Sequence, residues 1–223
     1  MTESLEDQMA RAEARWLEGW TAGPSRLRWT KLPLQVGDQA PSFDLPDQAG
    51  RLTPMSSLWK NQPAVILFWR HFGCGCGLDR ARRLKEEYEE FLRRGSALVM
   101  VGQGGPLRAM AYAEKYELPP VPILSDEDGR VYEAYGLLEG RPSQLLFDAP
   151  EDWLDHDVET GLKFARDRRA QGRPLVDNPW LLPGEFVVDT AGVIVMAYRY
   201  NYCEDFPDPR VLYAAVREAN PPG

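Results

Sequence analysis

Three cysteines, two histidines and no long apolar run set the first limits on this 223-residue chain. Three cysteines are too few for the disulfide framework that staples small secreted domains. No stretch approaches the roughly 20 apolar residues of a membrane-spanning helix, and the runs at 64–69 (AVILFW) and 97–102 (ALVMVG) are strand-sized. The amino-terminal MTESLEDQMARAEARW is polar and lacks the apolar core of a secretory signal, so a cytoplasmic location and no membrane partner are expected. Basic charge is short as well: 26 Lys and Arg stand against 34 Asp and Glu, a net charge of -8. Phosphate-backbone binding needs a basic field, so no nucleic-acid partner is expected despite the local cluster at 166–169.

What is present is the length and apolar content of one embellished globular domain. Leu5, Met9, Ala12, Trp16, Leu17 and Trp20 recur at helical spacing behind a cap at Thr2 or Ser4. This amphipathic helix either packs on the main body or offers its two tryptophans to a second copy as a homodimer contact. Gly23, Pro24 and Pro33 mark 21–34 as a linker, so residues 1–35 form an amino-terminal helix and linker. The body, 36–223, then alternates. Strands are expected at 64–69, 97–102 and 121–124, and helices at 78–94 and about 107–116. In the first helix Ala81, Leu84, Tyr88, Phe91 and Leu92 make one stripe, with Gly95 as the stop. A hairpin follows at 185–189 and 193–200, then a last helix at 208–220. Residues 138–182 loosen the pattern and read as an insertion carrying a helix at 158–170. The order gives an α/β sandwich around a mixed sheet.

Two of the cysteines, Cys74 and Cys76, sit one residue apart where the first buried strand runs out and the long helix begins. Open α/β folds place their sites at that sheet edge. A helix start stabilises a thiolate, and Arg70, His71 and Arg80 are near enough in sequence to add positive charge. Gly73, Gly75 and Gly77 clear side chains from the loop and permit a sharp bend. The plain alternative is a pair of small buried cysteines at a turn. A sharper one is a zinc or copper site from His71, Cys74, Cys76 and Cys203, although C-x-C is not a diagnostic ligand spacing. No motif calls for a cofactor, and none is expected. Gly102-Gln103-Gly104-Gly105 lacks the Lys-Ser/Thr of a phosphate loop and reads as a turn, as does Asp126-Glu127-Asp128-Gly129. Asp155-His156-Asp157 reads as a solvated loop.

Val36-Gly37-Asp38-Gln39-Ala40-Pro41-Ser42-Phe43-Asp44-Leu45 resembles the opening of the redoxin and alkyl-hydroperoxide-reductase/thiol-specific-antioxidant (AhpC/TSA) proteins. Arg70-His71-Phe72-Gly73-Cys74 after its apolar strand resembles the peroxiredoxin-like branch, and PILSDEDGRVYEAYG (122–136) and Pro183-Gly184-Glu185-Phe186-Val187-Val188-Asp189 resemble later family segments. The likeness covers about 36–137 and 182–219. It implies a thioredoxin-like sandwich and a thiol-dependent oxidoreductase that reduces peroxides or disulfides through Cys74. The partners implied are a peroxide and a protein or low-molecular-weight thiol. The alternative is a non-catalytic thioredoxin-like module that holds a metal or a protein partner.

The chain departs from the family at its reactive loop. Peroxiredoxins proper carry Pro-x-x-x-Thr/Ser-x-x-Cys, but Leu67 and His71 occupy those positions here. Thioredoxins use Trp-Cys-x-x-Cys, but Gly73 precedes Cys74 and Gly77 replaces the second cysteine. The resemblance also implies a cis Pro183 facing Cys74 in the substrate groove, and a second positive charge from Arg199, otherwise a solvated strand residue. Cys203 either resolves an oxidised Cys74 or is an inert loop thiol. Cys74 itself is expected at a helix start, partly accessible, with a pKa below the roughly 8.5 of a free thiol. Residues two apart on a regular helix face different sides, so a Cys74–Cys76 bridge requires a bent loop. Such a small ring is expected to form reversibly, at a potential well above the roughly -270 mV of thioredoxin.

Overall fold

The apolar run that begins at Ala64 is the middle strand of the molecule, as seen in a computed structural model that describes residues 3–145, 153, 155–173 and 175–220. Helix α1 (Leu5–Ala22) comes first, then a short hairpin of β1 (Asp44–Pro46) and β2 (Leu52–Pro54). The alternating body follows as β3 (Ala64–Phe68), α2 (Gly75–Arg93), β4 (Ala97–Gly102), α3 (Pro106–Lys115), β5 (Ile123–Ser125) and α4 (Arg130–Ala134). Helices α5 (Pro142–Leu145) and α6 (Val158–Ala170) precede β6 (Gly184–Val188), β7 (Ile194–Arg199) and α7 (Pro209–Ala219).

All five expected strands share one sheet in the order β5-β4-β3-β6-β7. β3, β4 and β5 run parallel, whereas β6 and β7 are antiparallel to their neighbours, so the sheet is mixed. Both faces are covered, which is why β3 reads as an unbroken apolar run. Ile66 and Phe68 join one core with Val101, Tyr132 and Phe186. Val65 and Leu67 join the other with Leu84 and Phe91 from α2 and Val216 from α7. Leu92, expected on the buried stripe of α2, is exposed, because it lies one residue beyond the face that Leu84 and Phe91 define. Helix α2 starts three residues earlier than expected and takes Gly75, Cys76 and Gly77 into its first turn. Low glycine propensity masks that turn in the sequence, since propensity yields to tertiary packing. Among the described residues no helix is long and apolar enough to cross a membrane.

A third apolar cluster lies outside the two sheet faces and surrounds the cysteines. It combines Trp16 and Trp20 of α1, Leu175, Trp180 and Leu182 of the 138–182 segment, and Cys74, Cys76 and Cys203. Of the two expected caps of α1, Ser4 serves, and Thr2 lies outside the described residues. The capping box is local and complete: Ser4 Oγ accepts from Asp7 N at 3.1 Å, and Asp7 Oδ2 accepts from Ser4 N at 3.1 Å. The buried face is Gln8, Ala12, Trp16 and Trp20, a strict i, i+4 series. Trp16 stacks on Trp20 at 5.3 Å and Trp20 on Trp180 at 5.4 Å. Burial of both α1 tryptophans inside their own chain corrects the homodimer-contact alternative, because neither ring is left to meet a second copy.

The 138–182 segment is tied down by a buried ion pair. Arg108 of α3 donates from Nη1 and Nη2 to Asp177 Oδ1 and Oδ2 at 2.8 and 2.6 Å, and Asp177 N donates to Ala12 O at 2.9 Å. One aspartate thus joins α3, α1 and the segment between them. Removing one partner of a buried pair strands the other charge. Asp177→Asn is expected to lower unfolding stability by about 3 kcal/mol, read from chemical denaturation. An effect within the roughly 0.5 kcal/mol of ordinary surface substitutions contradicts the anchoring role.

Candidate functional site

The end of β3 delivers the chain to Arg70-His71-Phe72-Gly73-Cys74 at the carboxyl edge of the sheet. Cys74 is the N-cap of α2, with extended backbone at φ -76° and ψ 141°, and Cys76 lies inside the first turn. That change of conformation between neighbours supplies the bend that a regular helix lacks. Cys74 and Cys76 are paired as a disulfide with Cα atoms 5.4 Å apart, the pairing expected from the spacing. Both sulfurs are enclosed: Cys74 is 7 % exposed and Cys76 3 %. This corrects the expectation of a partly accessible Cys74, since α1 and α6 cover the loop. Access is through cavities. Cys74 lines one of about 220 Å³ between α1 and α3, walled by Met9, Phe72 and Tyr112. It shares another, of about 330 Å³, with Cys76, Trp20 and Trp180.

Arg70 is the charged centre of the loop. Its Nη1 donates to Cys74 Sγ at 3.0 Å, its Nε donates to Leu181 O at 3.1 Å, and its Nη2 donates to Pro179 O. Burial, with Arg168 nearby, pushes the Arg70 guanidinium down to about 10. A guanidinium donor and the start of α2 both favour negative charge at Cys74 Sγ. His71 sits 3.0 Å from Arg70 Nη1 through Nε2, and Gly73 N donates to its Nδ1 at 3.1 Å. Burial, then Arg70, Arg168, Arg108 and Arg173, hold the His71 ring well below its ordinary 6.5. It is therefore neutral at neutral pH and touches Arg70, not the sulfur.

The glycines of the loop have distinct reasons. A Cβ on Gly75 would lie 2.8 Å from Arg173 Nη2, so a guanidinium rests directly over the residue between the cysteines. A Cβ on Gly77 would meet Trp69 Nε1 at 2.9 Å and Tyr112 Oη at 3.1 Å. Those two atoms are hydrogen-bonded at 3.0 Å and buried, which closes the position where a C-x-x-C motif has its second cysteine. Gly104 leaves room for the Phe72 ring, 2.6 Å from its ideal Cβ, so the glycine turn after β4 packs against the loop that carries Cys74.

The profile of the AhpC/TSA family matches residues 36–197. The chain belongs to that family. Related sequences include the thioredoxin-like protein AAED1, chloroplastic, of Arabidopsis thaliana, 32 % identical over 47 % of this chain and 42 % of that one. Peroxiredoxin Q, chloroplastic, of Populus jackii is 31 % identical over 49 % and 54 %, and Peroxiredoxin Bcp of Escherichia coli is 31 % identical over 47 % and 66 %. The alignments thus cover about half of this chain and less than two thirds of each of these relatives. Among solved structures, Peroxidoxin BcpB from Mycobacterium tuberculosis superposes with a TM-score of 0.59 at 20 % identity, over 83 % of this chain and 97 % of that one. A peroxiredoxin-like protein from Aquifex aeolicus gives 0.60 at 15 %, over 86 % and 92 %. These likenesses establish the thioredoxin-like fold.

Within this AhpC/TSA chain several sequence expectations are corrected. Arg80 does not serve the thiols: its Nε donates to Glu185 Oε1 at 2.7 Å and its Nη1 to Glu87 Oε2 at 3.0 Å, so two carboxylates hold it. Arg199 donates to Tyr135 O and Leu34 O at 2.9 and 2.8 Å and fastens the linker, away from the cysteines. The bond before Pro183 is trans, and Pro183 shares a small cavity with Cys76 and Cys203, not Cys74. Asp157, in the loop read as solvated, caps α6 through Thr160 N at 2.8 Å, while His156 packs on Trp180. Among the described residues no three His, Cys, Asp or Glu side chains converge as a metal group. Cys203 is 8 % exposed, belongs to the same cluster as Cys74 and Cys76, and donates from Sγ to Leu145 O at 3.2 Å. Burial pushes its thiol up, with Arg70 opposing. Sequence reasoning also missed Arg168 and Arg173, whose only signal is a basic cluster some 95 residues downstream of the loop, the separation of the Arg168 Nη2 donor from Gly73 O.

Two outcomes check this geometry. In the double variant Cys76→Ser/Gly77→Cys, oxidised peptides are expected to contain no bridge from Cys74 to position 77, because Trp69 and Tyr112 must move first. Mass spectrometry finding that bridge in quantity shows the position to be open. Below pH 6.5 the unfolded chain accepts a proton that the folded His71 refuses, so stability falls with pH in that range. NMR titration is expected to keep the His71 ring neutral as pH drops through 6.5; an ordinary titration there places a counter-charge beside the ring.

Proposed function

We propose that the protein is a thiol-dependent oxidoreductase that reduces a peroxide or a disulfide through Cys74. The observation that carries this reading is the set of three features on one sulfur: the N-cap position of Cys74, the Arg70 donor at 3.0 Å, and the bond to Cys76. The family membership and the peroxiredoxin names of its relatives support it. With a peroxide ROOH, the Cys74 thiolate attacks the O–O bond, becomes a sulfenic acid and releases ROH once a proton is supplied. The Cys76 thiol then attacks the Cys74 sulfur, water leaves, and the Cys74–Cys76 disulfide forms. An external pair of thiols returns both cysteines to the reduced state and is itself oxidised to a disulfide. Arg70 positions the thiolate and carries the compensating charge. His71, uncharged and accepting from Gly73 N through Nδ1, is a positioning residue for the loop.

The test is peroxide consumption by reduced protein with dithiothreitol. Cys74→Ser is expected to abolish it. Cys76→Ser is expected to accumulate a sulfenic acid on Cys74 that dimedone traps, and Arg70→Gln to slow the first turnover by about tenfold or more, the worth of one charge-assisted hydrogen bond. Undiminished turnover in Cys74→Ser rejects the role of Cys74, and no consumption by the reduced wild-type protein favours a non-catalytic binding module.

A further inference from the structure

The larger cavity over the disulfide is lined by three arginines. Arg70, Arg168 and Arg173 all line it, and among the described residues none of the three forms an ion pair with a carboxylate. The contrast is with Arg80 and Arg108, as buried as Arg70, which each have carboxylate partners at 2.6–3.0 Å, whereas Arg70 is buried without one and Arg168 and Arg173 are half-buried. Arg168 donates from Nη2 to Gly73 O at 3.0 Å, and its buried Nε has no partner. Arg173 lies over Gly75. Arg70 donates from Nη1 to Cys74 Sγ at 3.0 Å. Three guanidiniums thus contact the C-x-C loop, at Gly73, Cys74 and Gly75, while Glu204 is the one acidic side chain among the described residues of the wall. Like charges brought together in a low dielectric repel strongly unless an anion is supplied. In a chain of net charge -8, three arginines without a carboxylate partner among the described residues suit an anionic ligand.

The second observation concerns who can reach the sulfurs. Cys74 and Cys76 are enclosed, and the cavity of about 330 Å³ is walled by Trp16, Trp20 and Trp180. A protein dithiol must press its own sulfur against the disulfide and finds no exposed sulfur to meet. A small thiol enters without displacing α1 or α6. In the oxidised form the next reactant is the reductant. Resting on the oxidoreductase reading above, we infer that the cavity binds a small thiol bearing carboxylate groups, and that this thiol is the reductant of the Cys74–Cys76 disulfide. Its thiolate attacks Cys76 Sγ and forms a mixed disulfide. Cys74 leaves as a thiolate held by Arg70, and the ligand's carboxylates meet Arg168 and Arg173. A second molecule of the same thiol attacks the mixed disulfide, releases the Cys76 thiol, and leaves as the symmetric disulfide of the reductant.

Oxidised full-length protein tests this directly against mercaptosuccinate, 2-mercaptoethanol and cysteamine, an anionic, a neutral and a cationic thiol. Each rate is divided by the thiolate concentration and by the same thiol's rate on bis(2-hydroxyethyl) disulfide, which removes intrinsic reactivity. Mercaptosuccinate is expected to be fastest and cysteamine slowest, with about a tenfold or larger span that shrinks at about 1 M ionic strength. Arg168→Gln and Arg173→Gln are each expected to cut the preference for mercaptosuccinate over 2-mercaptoethanol by about fivefold. Equal corrected rates, or cysteamine fastest, overturn the anion site. If peroxide is still consumed with dithiothreitol in that case, the oxidoreductase stands and the reductant assignment alone falls. Reduction by none of the three thiols overturns the assignment as well, and undiminished peroxide turnover in Cys74→Ser separately removes the reading beneath it.

Discussion

A guanidinium buried at the end of β3 without a carboxylate has to be satisfied by other means, and much of the surrounding chain is arranged to do so. The carbonyls of Leu181 and Pro179 accept from Arg70, which requires the 138–182 segment to return to the sheet edge just before β6. Gln103, at the end of β4, donates to Arg70 O and accepts from Asn178 N at 3.2 Å, joining the loop after β3 to that same segment. With carbonyls in place of an acid, the net positive charge of Arg70 survives and is available to sulfur. A carboxylate in their place would neutralise it, as Glu185 and Glu87 neutralise Arg80.

The cover over the site follows from that arrangement. Once the 138–182 segment is drawn to the sheet edge, its apolar side chains need a partner, and α1 supplies it. Trp180 Nε1 donates to Gly19 O at 2.6 Å and Trp20 Nε1 to Asp157 O at 2.9 Å, so each ring buries its apolar body while its N–H finds a carbonyl. Gly161 of α6 has its ideal Cβ 2.7 Å from the Trp20 ring, which lets the two helices close over the disulfide. The two sheet cores are ordinary for the fold. The third cluster is where this chain spends its added residues.

Local patterns in the sequence reported local structure well. The run 97–102 matches β4, and 158–170 matches α6, because apolar continuity and helical spacing act over short range. The resemblance at 70–74 and the C-x-C spacing located the loop that carries the Cys74–Cys76 disulfide. What stayed hidden were contacts between residues far apart in the chain. Arg80 is four residues from Cys76 yet turns to Glu185, while Arg168 and Arg173 lie more than ninety residues away and meet the loop. Charge close in sequence is a weak guide to charge close in space, because an α-helix directs successive side chains to different faces. The trans Pro183 is a failure of a different kind, an analogy with the wider fold carried onto a residue whose surroundings differ.

The tryptophans of the third cluster have an optical consequence. A disulfide accepts an electron from an excited indole and so quenches its emission, an effect that decays steeply with separation. Trp16, Trp20 and Trp180 belong to the same packed cluster as the Cys74–Cys76 bridge and line the same cavity. Their fluorescence is therefore expected to rise when the bridge opens and to fall when it closes. Opening and closing of the bridge can then be followed in real time without a label.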